Sequence, residues 1–214
     1  MLTFTRRGGR VGPHMRQVLT EVVPRYSLPA EPWDFAGAFP GLSEVVLEVG
    51  SGSGEATLAM AQAEPAIAIV AVEVHERGLG SLVRSVDEAG LRNVKVFSGD
   101  ALVALRRYVP PATLAGIRVW FPDPWPKTRH HKRRLVRPDN VALMASRIRP
   151  GGTLHVATDV AQYADVIAEV LANAPDLAPD IVRGPRPPWR PKTKYEHAGL
   201  EAGRPAQDFV YRRI

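Results

Sequence analysis
The chain has 214 residues and no cysteine, with 28 Lys+Arg against 22 Asp+Glu for a formal charge of +6. Its length and 45% hydrophobic content suit one soluble domain and exclude collagen-like and wholly disordered classes. The absence of cysteine excludes disulfides, thiol nucleophiles and zinc-thiolate sites, and no apolar run is long enough to cross a membrane as a helix.

Residues 1–40 are rich in Pro, Gly and Arg and read as a basic arm with short elements at most. They contain no apolar segment of the secretory type, so the cytoplasm is the expected compartment. From residue 41 to 214 the pattern becomes that of one domain. Val45–Val49 is a short apolar run ending in glycines, and 55–63 reads as a helix. Ile67–Glu73 is a buried-strand run, and 76–89 is helical, closed by Gly90. Strands follow at 94–97 and 117–121, with a short helix at 101–108 between them. A helix over 140–148 is closed by Pro150-Gly151-Gly152, then come a strand at 153–157 and a helix over 160–173. The tail from Ala174 carries six prolines before Lys192, and 208–212 reads as a late strand, possible in antiparallel pairing. Strands apolar on both faces, alternating with helices, predict an α/β fold of the Rossmann-like, doubly wound kind: a mostly parallel sheet with helices on both faces.

Two patterns point to chemistry. The first turn reads Glu48-Val-Gly50-Ser-Gly52-Ser-Gly54-Glu55, after a strand and before a helix. Its glycines allow a sharp turn close to a ligand. The spacing is G-x-G-x-G rather than G-x-G-x-x-G, and the flanking acids disfavour a phosphate at the helix N-terminus. They favour a ligand with an ammonium, a sulfonium or ribose hydroxyls. The second pattern is a ladder of acids, Glu48, Glu73, Asp100 and Asp123, each at or just after an apolar run. They lie 25, 27 and 23 residues apart, about one strand–helix unit each, so a parallel sheet would bring all four to one edge. Loop and ladder resemble the S-adenosylmethionine-dependent methyltransferases of the Rossmann-like class. That resemblance implies a seven-stranded sheet and S-adenosylmethionine as cofactor. Glu48, Gly50, Gly52 and Gly54 would pass its methionine part, Glu73 would hold the ribose, Asp100 would neighbour the adenine, and Asp123 would border the same site.

The third signal is the segment 121–137, FPDPWPKTRHHKRRLVR. Three prolines stiffen the loop that carries Asp123 and Trp125. A base could stack on Trp125 while Asp123 accepts its hydrogens. The six basic residues between Lys127 and Arg137, with no acid among them, carry a charge equal to the whole excess of the chain. They suit phosphates. The adjacent His130 and His131 point apart on any regular element, so no metal site is expected.

This segment resembles the signature of the tRNA (guanine-N7)-methyltransferases. Ala157-Thr158-Asp159 with Tyr163, and Thr193-Lys194-Tyr195-Glu196 with Gly199, Gly203 and Asp208, resemble further elements of that family in the same order. Tyr195 stands for the more usual Phe. The resemblance implies tRNA as partner and methyl transfer to N7 of a guanine in the variable loop (position 46). It also implies substrate contacts at Lys127, Asp159, Thr193, Lys194, Tyr195 and Glu196, and places a C-terminal tRNA-binding element in the 41–214 domain. N7 has a lone pair and no proton to lose, so a general base is not required. Positive charge develops on the purine, so a carboxylate beside it would act electrostatically. Asp123 is the expected catalytic residue, with Asp159 and Glu196 as further candidates for holding the base. Arg129, His130, His131, Lys132, Arg133 and Arg134 are expected on the RNA backbone. A methyltransferase for another RNA or a small molecule, and a non-catalytic RNA-binding protein, stay open as alternatives, as does monomer against homodimer.

Overall fold
The computed structural model describes residues 11–214. The arginines at positions 6, 7 and 10, part of the expected basic arm, lie outside the described residues. Seven strands form one sheet in the order β3-β2-β1-β4-β5-β7-β6. They are β1 (Glu44–Val49), β2 (Ile67–Glu73), β3 (Val94–Ser98), β4 (Leu114–Trp120), β5 (Ile148–Thr158), β6 (Leu177–Gly184) and β7 (Gln207–Arg213). The first five pair in parallel, and β7 is antiparallel to both its neighbours. This is the expected α/β architecture, with the late strand indeed antiparallel.

The alternation along β2 explains its continuous apolar run. Ala68, Val70 and Val72 enter one core layer with Leu47, Leu105, Ile117 and Ile167. Ile69 and Ala71 enter the other, with Met60, Leu82, Val83 and Val86. A strand covered on both faces has no position for a polar side chain until its end, where Glu73 stands. Each fully buried branched side chain of this kind contributes about 1.5–3 kcal/mol.

The helices are α1 (Pro13–Gln17), α2 (Val23–Tyr26), α3 (Phe35–Ala38), α4 (Glu55–Ala63), α5 (Glu76–Glu88), α6 (Ala101–Arg107), α7 (Pro138–Arg147), α8 (Ala161–Ala172) and α9 (Lys194–Glu201). A π-helical turn, Val18–Val22, joins α1 to α2. Val18 and Val23 bury against the α5 side. Ser27 and Leu28 then cover the open edge of β3, where the Leu28 N–H donates to the Val96 carbonyl at 2.8 Å.

Three boundaries differ from expectation. Helix α7 stops at Arg147, and Ile148 already belongs to β5. Pro150-Gly151-Gly152 therefore forms an irregularity inside a strand rather than a helix stop: Leu114 pairs with Ile148, and pairing resumes at Gly116 with Thr153. Strand β6 was hidden by its composition. It is an edge strand with Pro179 inside it and most side chains outside the core, and a sheet edge tolerates proline. Helix α9 was hidden because it buries only Glu196 and Gly199, which leaves no apolar period to read.

Chain order reverses direction across the sheet at β1 and β4, which are neighbours. The crevice at the carboxyl ends of these strands is the place where such sheets bind ligands.

Candidate active site
The loop after β1 is built on three left-handed glycines, Gly50, Gly52 and Gly54, with φ of 76°, 58° and 85°. A Cβ at Gly50 or Gly52 would meet nothing within 4 Å, whereas one at Gly54 would run into Leu82 of α5. The first two glycines therefore leave open space for a ligand, and the third lets two helices approach. Glu73 holds this loop in shape. One carboxylate oxygen accepts the Gly52 N–H at 2.7 Å, and the other accepts the Val74 and His75 N–H groups at 2.7 and 2.8 Å.

Gly50, Gly52, Glu73, Asp100, Asp123 and Tyr195 line one cavity of about 280 Å³, with Trp120, Phe121 and His75. Asp100 also caps α6, accepting the Leu102 N–H at 2.8 Å. Asp123 is exposed. A smaller adjoining cavity of about 40 Å³ is lined by Glu48, Ser51, Glu55, Thr193 and Lys194. Gly50, Trp120, Phe121 and Tyr195 border both. Three rungs of the acid ladder thus share the larger cavity and the fourth, Glu48, sits beside it.

Glu48 is only 4% exposed. Burial pushes its carboxyl above the ordinary range, against the opposing effects of the Thr57 hydroxyl and the Arg118 charge, with Glu73 adding to the rise. Thr57 of α4 donates its hydroxyl to the Glu48 carboxylate. Arg118 stands opposite Glu48 in the β1–β4 register, and His155 stands opposite Arg118 in the β4–β5 register. A polar row therefore crosses three neighbouring strands. Close by, the Ser51 hydroxyl oxygen is buried and finds no partner among the described residues. A buried acid whose ionised form burial disfavours and an unsatisfied hydroxyl fit the polar end of an amino acid. Carboxylates at the ends of β2 and β3 fit hydroxyl and amino groups.

Phe121 and Trp125 both adopt left-handed backbone, φ 53° and 44°, each directly before a proline. Bulky residues rarely sit there, and such strain collects at functional loops. Phe121 stacks on Tyr195 of α9, ring centroids 6.3 Å apart. Tyr195 is 56% exposed and projects from the element that roofs the cleft. The Thr193 hydroxyl caps α9 by accepting the Glu196 N–H at 3.2 Å, and Lys194 donates to Ser53 in the glycine loop at 2.6 Å.

The remaining expected residues divide. Lys127, Arg129 and Lys132 are exposed on or beside a 3-10 helix, Thr128–Arg133. His130 packs its edge on Trp125, and the Arg133 guanidinium lies over the Trp125 ring at 3.6 Å. One face of Trp125, on which a base was expected to stack, is therefore already covered by Arg133. His131 is half-buried. Arg134 departs from the expectation that the whole run faces RNA. It is 3% exposed, donates to the Pro124 carbonyl at 2.9 Å and lies over the Tyr163 ring. Burial pushes the Tyr163 hydroxyl up to about 12, outweighing the lowering by the Val136 N–H and Arg134. Arg134 thus pins the segment down rather than reaching outward. Glu196, expected on substrate, is buried and ion-paired with Arg186 at 3.2 Å and Arg190 at 2.8 Å. Asp159 is paired with Arg204 at 3.0 Å.

Trp120, His155 and Arg190 escaped the sequence reading as parts of the site, and Asp208 entered it only as part of the family-like C-terminal element. The Trp120 indole N–H donates to His155 Nδ1 at 3.0 Å, which leaves the His155 proton on Nε2, 2.7 Å from Asp208. Arg190 grips both Asp208 oxygens at 2.7 and 3.0 Å. Burial pulls His155 down in pKa despite Asp208, in keeping with a neutral ring. Among the described residues no cluster of His, Asp or Glu converges as a metal site, and no helix is long and apolar enough to cross a membrane.

A seven-stranded sheet with an antiparallel seventh strand, and a glycine loop and carboxylates at the β1–β4 crevice, define a class I methyltransferase fold. A family model described as a putative methyltransferase matches residues 43–209. The solved structure of the 16S rRNA methyltransferase KamB aligns with a TM-score of 0.63 at 18% identity, over 86% of this chain and 95% of that one. Curated relatives named tRNA (guanine-N(7)-)-methyltransferase include one from Streptomyces avermitilis, 42% identical over 99% of this chain and 75% of its own length. Another, from Mycobacterium avium, is 47% identical over 86% of this chain and 72% of its own length. The chain is a methyltransferase and belongs to the tRNA (guanine-N(7)-)-methyltransferase family.

Proposed function
We propose that the protein methylates N7 of a guanine in the tRNA variable loop, position 46, with S-adenosylmethionine as donor. The observation that carries this reading is a carboxylate-lined cleft continuous in sequence with an exposed cationic segment: Asp123 lines the cavity, and Lys127 begins the basic run four residues on. The bound cofactor supplies a methyl group activated by a sulfonium. Glu73 and Asp100 would hold its ribose and adenine, with Gly50 and Gly52 leaving the backbone open beside it. Glu48 and Ser51 would meet its charged amino-acid end.

Asp123 would accept hydrogen bonds from the guanine N1–H and N2–H groups, which adenine lacks in that arrangement. The same negative charge stabilises the cationic purine as it forms. Tyr195 and Phe121 would exclude water from the reacting face and fix the purine's angle. Thr193, Lys194 and the exposed cations Lys127, Arg129 and Lys132 would hold the nucleotide and its backbone.

Purified tRNA is incubated with the protein and labelled cofactor, and the modified nucleotide is mapped. Methyl on N7 of the variable-loop guanine is expected; methyl elsewhere in RNA, or transfer only to small molecules, overturns the assignment. Asp123→Asn should lower kcat by about 10²–10³, the usual loss when one preorganised electrostatic group is removed. Near-normal turnover removes Asp123 from the centre.

A further inference from the structure
The segment joining β6 to β7 carries the roof of the cleft, yet it has almost no apolar attachment. Helix α9 buries Glu196 and Gly199 and nothing larger that is apolar. Its large hydrophobic side chains, Tyr195 and Leu200, are exposed. A helix normally keeps its place through an apolar stripe. Directional charged bonds do that work here, and they meet in Arg190.

Arg190 is 0% exposed. Its Nε and Nη2 bind the Asp208 carboxylate of β7 side by side, and its Nη1 donates to Glu196 of α9 at 2.8 Å. One planar guanidinium therefore joins the sheet to the helix, a task for which a lysine lacks the fork. Behind it, Asp208 is set by His155, and His155 by the Trp120 indole. Trp120 is a wall of both cavities. Arg190 also lies near the Phe121 ring, 5.5 Å from its centroid, and Phe121 is the ring on which Tyr195 stacks. A continuous chain of bonds thus runs from the cleft wall, through the sheet, to the cleft roof.

We propose that Arg190 is a positioning residue for methyl transfer: acting through Glu196 and anchored by Asp208, it fixes the height and angle of the Thr193–Glu196 element over the cleft. It does not itself line either cavity. The proposal rests on the reading that this element meets the substrate. Loss of the fork leaves the helix attached by Lys194 to Ser53, by Arg204 to Asp159 and by Arg186 to Glu196 at 3.2 Å, but with no bond from Glu196 to the sheet through Asp208, and so free to shift. Misplacement of about 1 Å is enough to slow a reaction by about 10², so the effect falls on kcat. The tRNA backbone contacts of the 127–133 segment do not depend on Arg190, so KM for tRNA stays close to that of the parent.

The test uses Arg190→Lys in the full chain, with two measurements. In peptide-resolved hydrogen exchange, amides of α9 should exchange about tenfold faster while those of β5 and β7 keep their rates. In steady-state transfer to tRNA, kcat should fall by about 10–100-fold with KM changed by less than about threefold. Unchanged exchange in α9 overturns the proposal whatever the activity does. Loosened α9 with undiminished kcat overturns it too, as does equal loosening of β5, β7 and α9. If the parent protein itself fails to methylate tRNA, the functional reading falls, and the exchange measurement still judges the anchor. If Arg190→Lys does not fold, Glu196→Gln takes its place in the exchange measurement, because it leaves the His155–Asp208–Arg190 part intact. Parent-like protection of α9 in Glu196→Gln then overturns the proposal, and accelerated exchange confined to α9 supports it.

Discussion

Glu48 shows how one buried acid ties stability to function. Its carboxyl is raised by burial in spite of Thr57 and Arg118, so ionisation opposes folding. Below its unfolded value, 4.5, the acid is protonated in both states; as pH rises toward and through the raised native value, stability is lost. At neutral pH the ligand-free protein is therefore held below its attainable stability by the burial of this acid. Glu48→Gln should therefore raise the melting temperature of the ligand-free protein at pH 7, by about 2–4 °C for each kcal/mol relieved. Calorimetry on the same variant should show cofactor affinity at least about tenfold weaker. A lower melting temperature with unchanged affinity refutes both halves. Asp208 and His155 carry the opposite sign. Burial alone would raise Asp208, but the bonds from His155 and Arg190 outweigh it and hold it below 3.8. His155 is held below 6.5, chiefly by burial. Each makes the unfolded chain the better proton binder. The stability that these two groups contribute is complete above pH 6.5, begins to fall there as unfolded histidine takes up protons, and falls again below 3.8 as Asp208 is titrated. Measured in Glu48→Gln, where the opposing Glu48 contribution is absent, denaturant midpoints from pH 8 to 3 should decline in that order, and adding His155→Gln should remove the upper step.

At the scale of elements, the glycine loop separates space kept for a neighbour from space kept for a ligand. Gly54→Ala meets both a left-handed backbone and the Leu82 side chain, and should cost about 2–4 kcal/mol of stability. Gly50→Ala meets only the backbone strain, about 1–2 kcal/mol, but sends its methyl group into the cavity. Thermal melts should rank Gly54→Ala as the more damaging to stability and calorimetry should find weakened cofactor binding in Gly50→Ala; the reverse ranking in the melts refutes this division. The same contrast explains what could be read before the fold was known. Strands β1 to β4 were legible because each is a short, mostly apolar run, unbroken in the doubly covered β2, and Glu73, Asp100 and Asp123 were legible because each stands at or just after the end of one. Strand β6 and helix α9 were not, because β6 carries Pro179 at a sheet edge and α9 turns Thr193, Glu196 and Gly199 inward. Glu196 and Asp208 were legible by resemblance alone, while Arg190, which joins them, was silent. The β5–β7 pairing brings His155 to Asp208 across 53 residues, and only the folded β6–β7 connection brings Arg190 and Glu196 to that pair. For the row Glu48, Arg118 and His155 a signal did exist: each is a polar residue inside an apolar strand.

For the whole molecule, charge is distributed less simply than its sum suggests. Six cations lie between Lys127 and Arg137, but Arg134 is spent inside the protein. The remaining five should set the salt response of tRNA binding, with a log–log slope of roughly −4.5 on a duplex-like surface. Filter binding between 50 and 200 mM salt, roughly the range over which such contacts lose most of their affinity, measures it. A flat response refutes the phosphate grip, and Arg134→Gln should destabilise the fold without changing the slope. The position of β7 has a consequence of another kind, in time rather than in energy. It follows α9 in the chain yet lies between β5 and β6, so a ribosome makes the roof before the strand that anchors it. Until residues 207–213 emerge, β5 presents an unpaired edge, a surface prone to wrong partners, and Asp208 is not there to receive Arg190. The nascent chain can assemble its glycine loop early, but the lid over that loop waits for a strand synthesised after it.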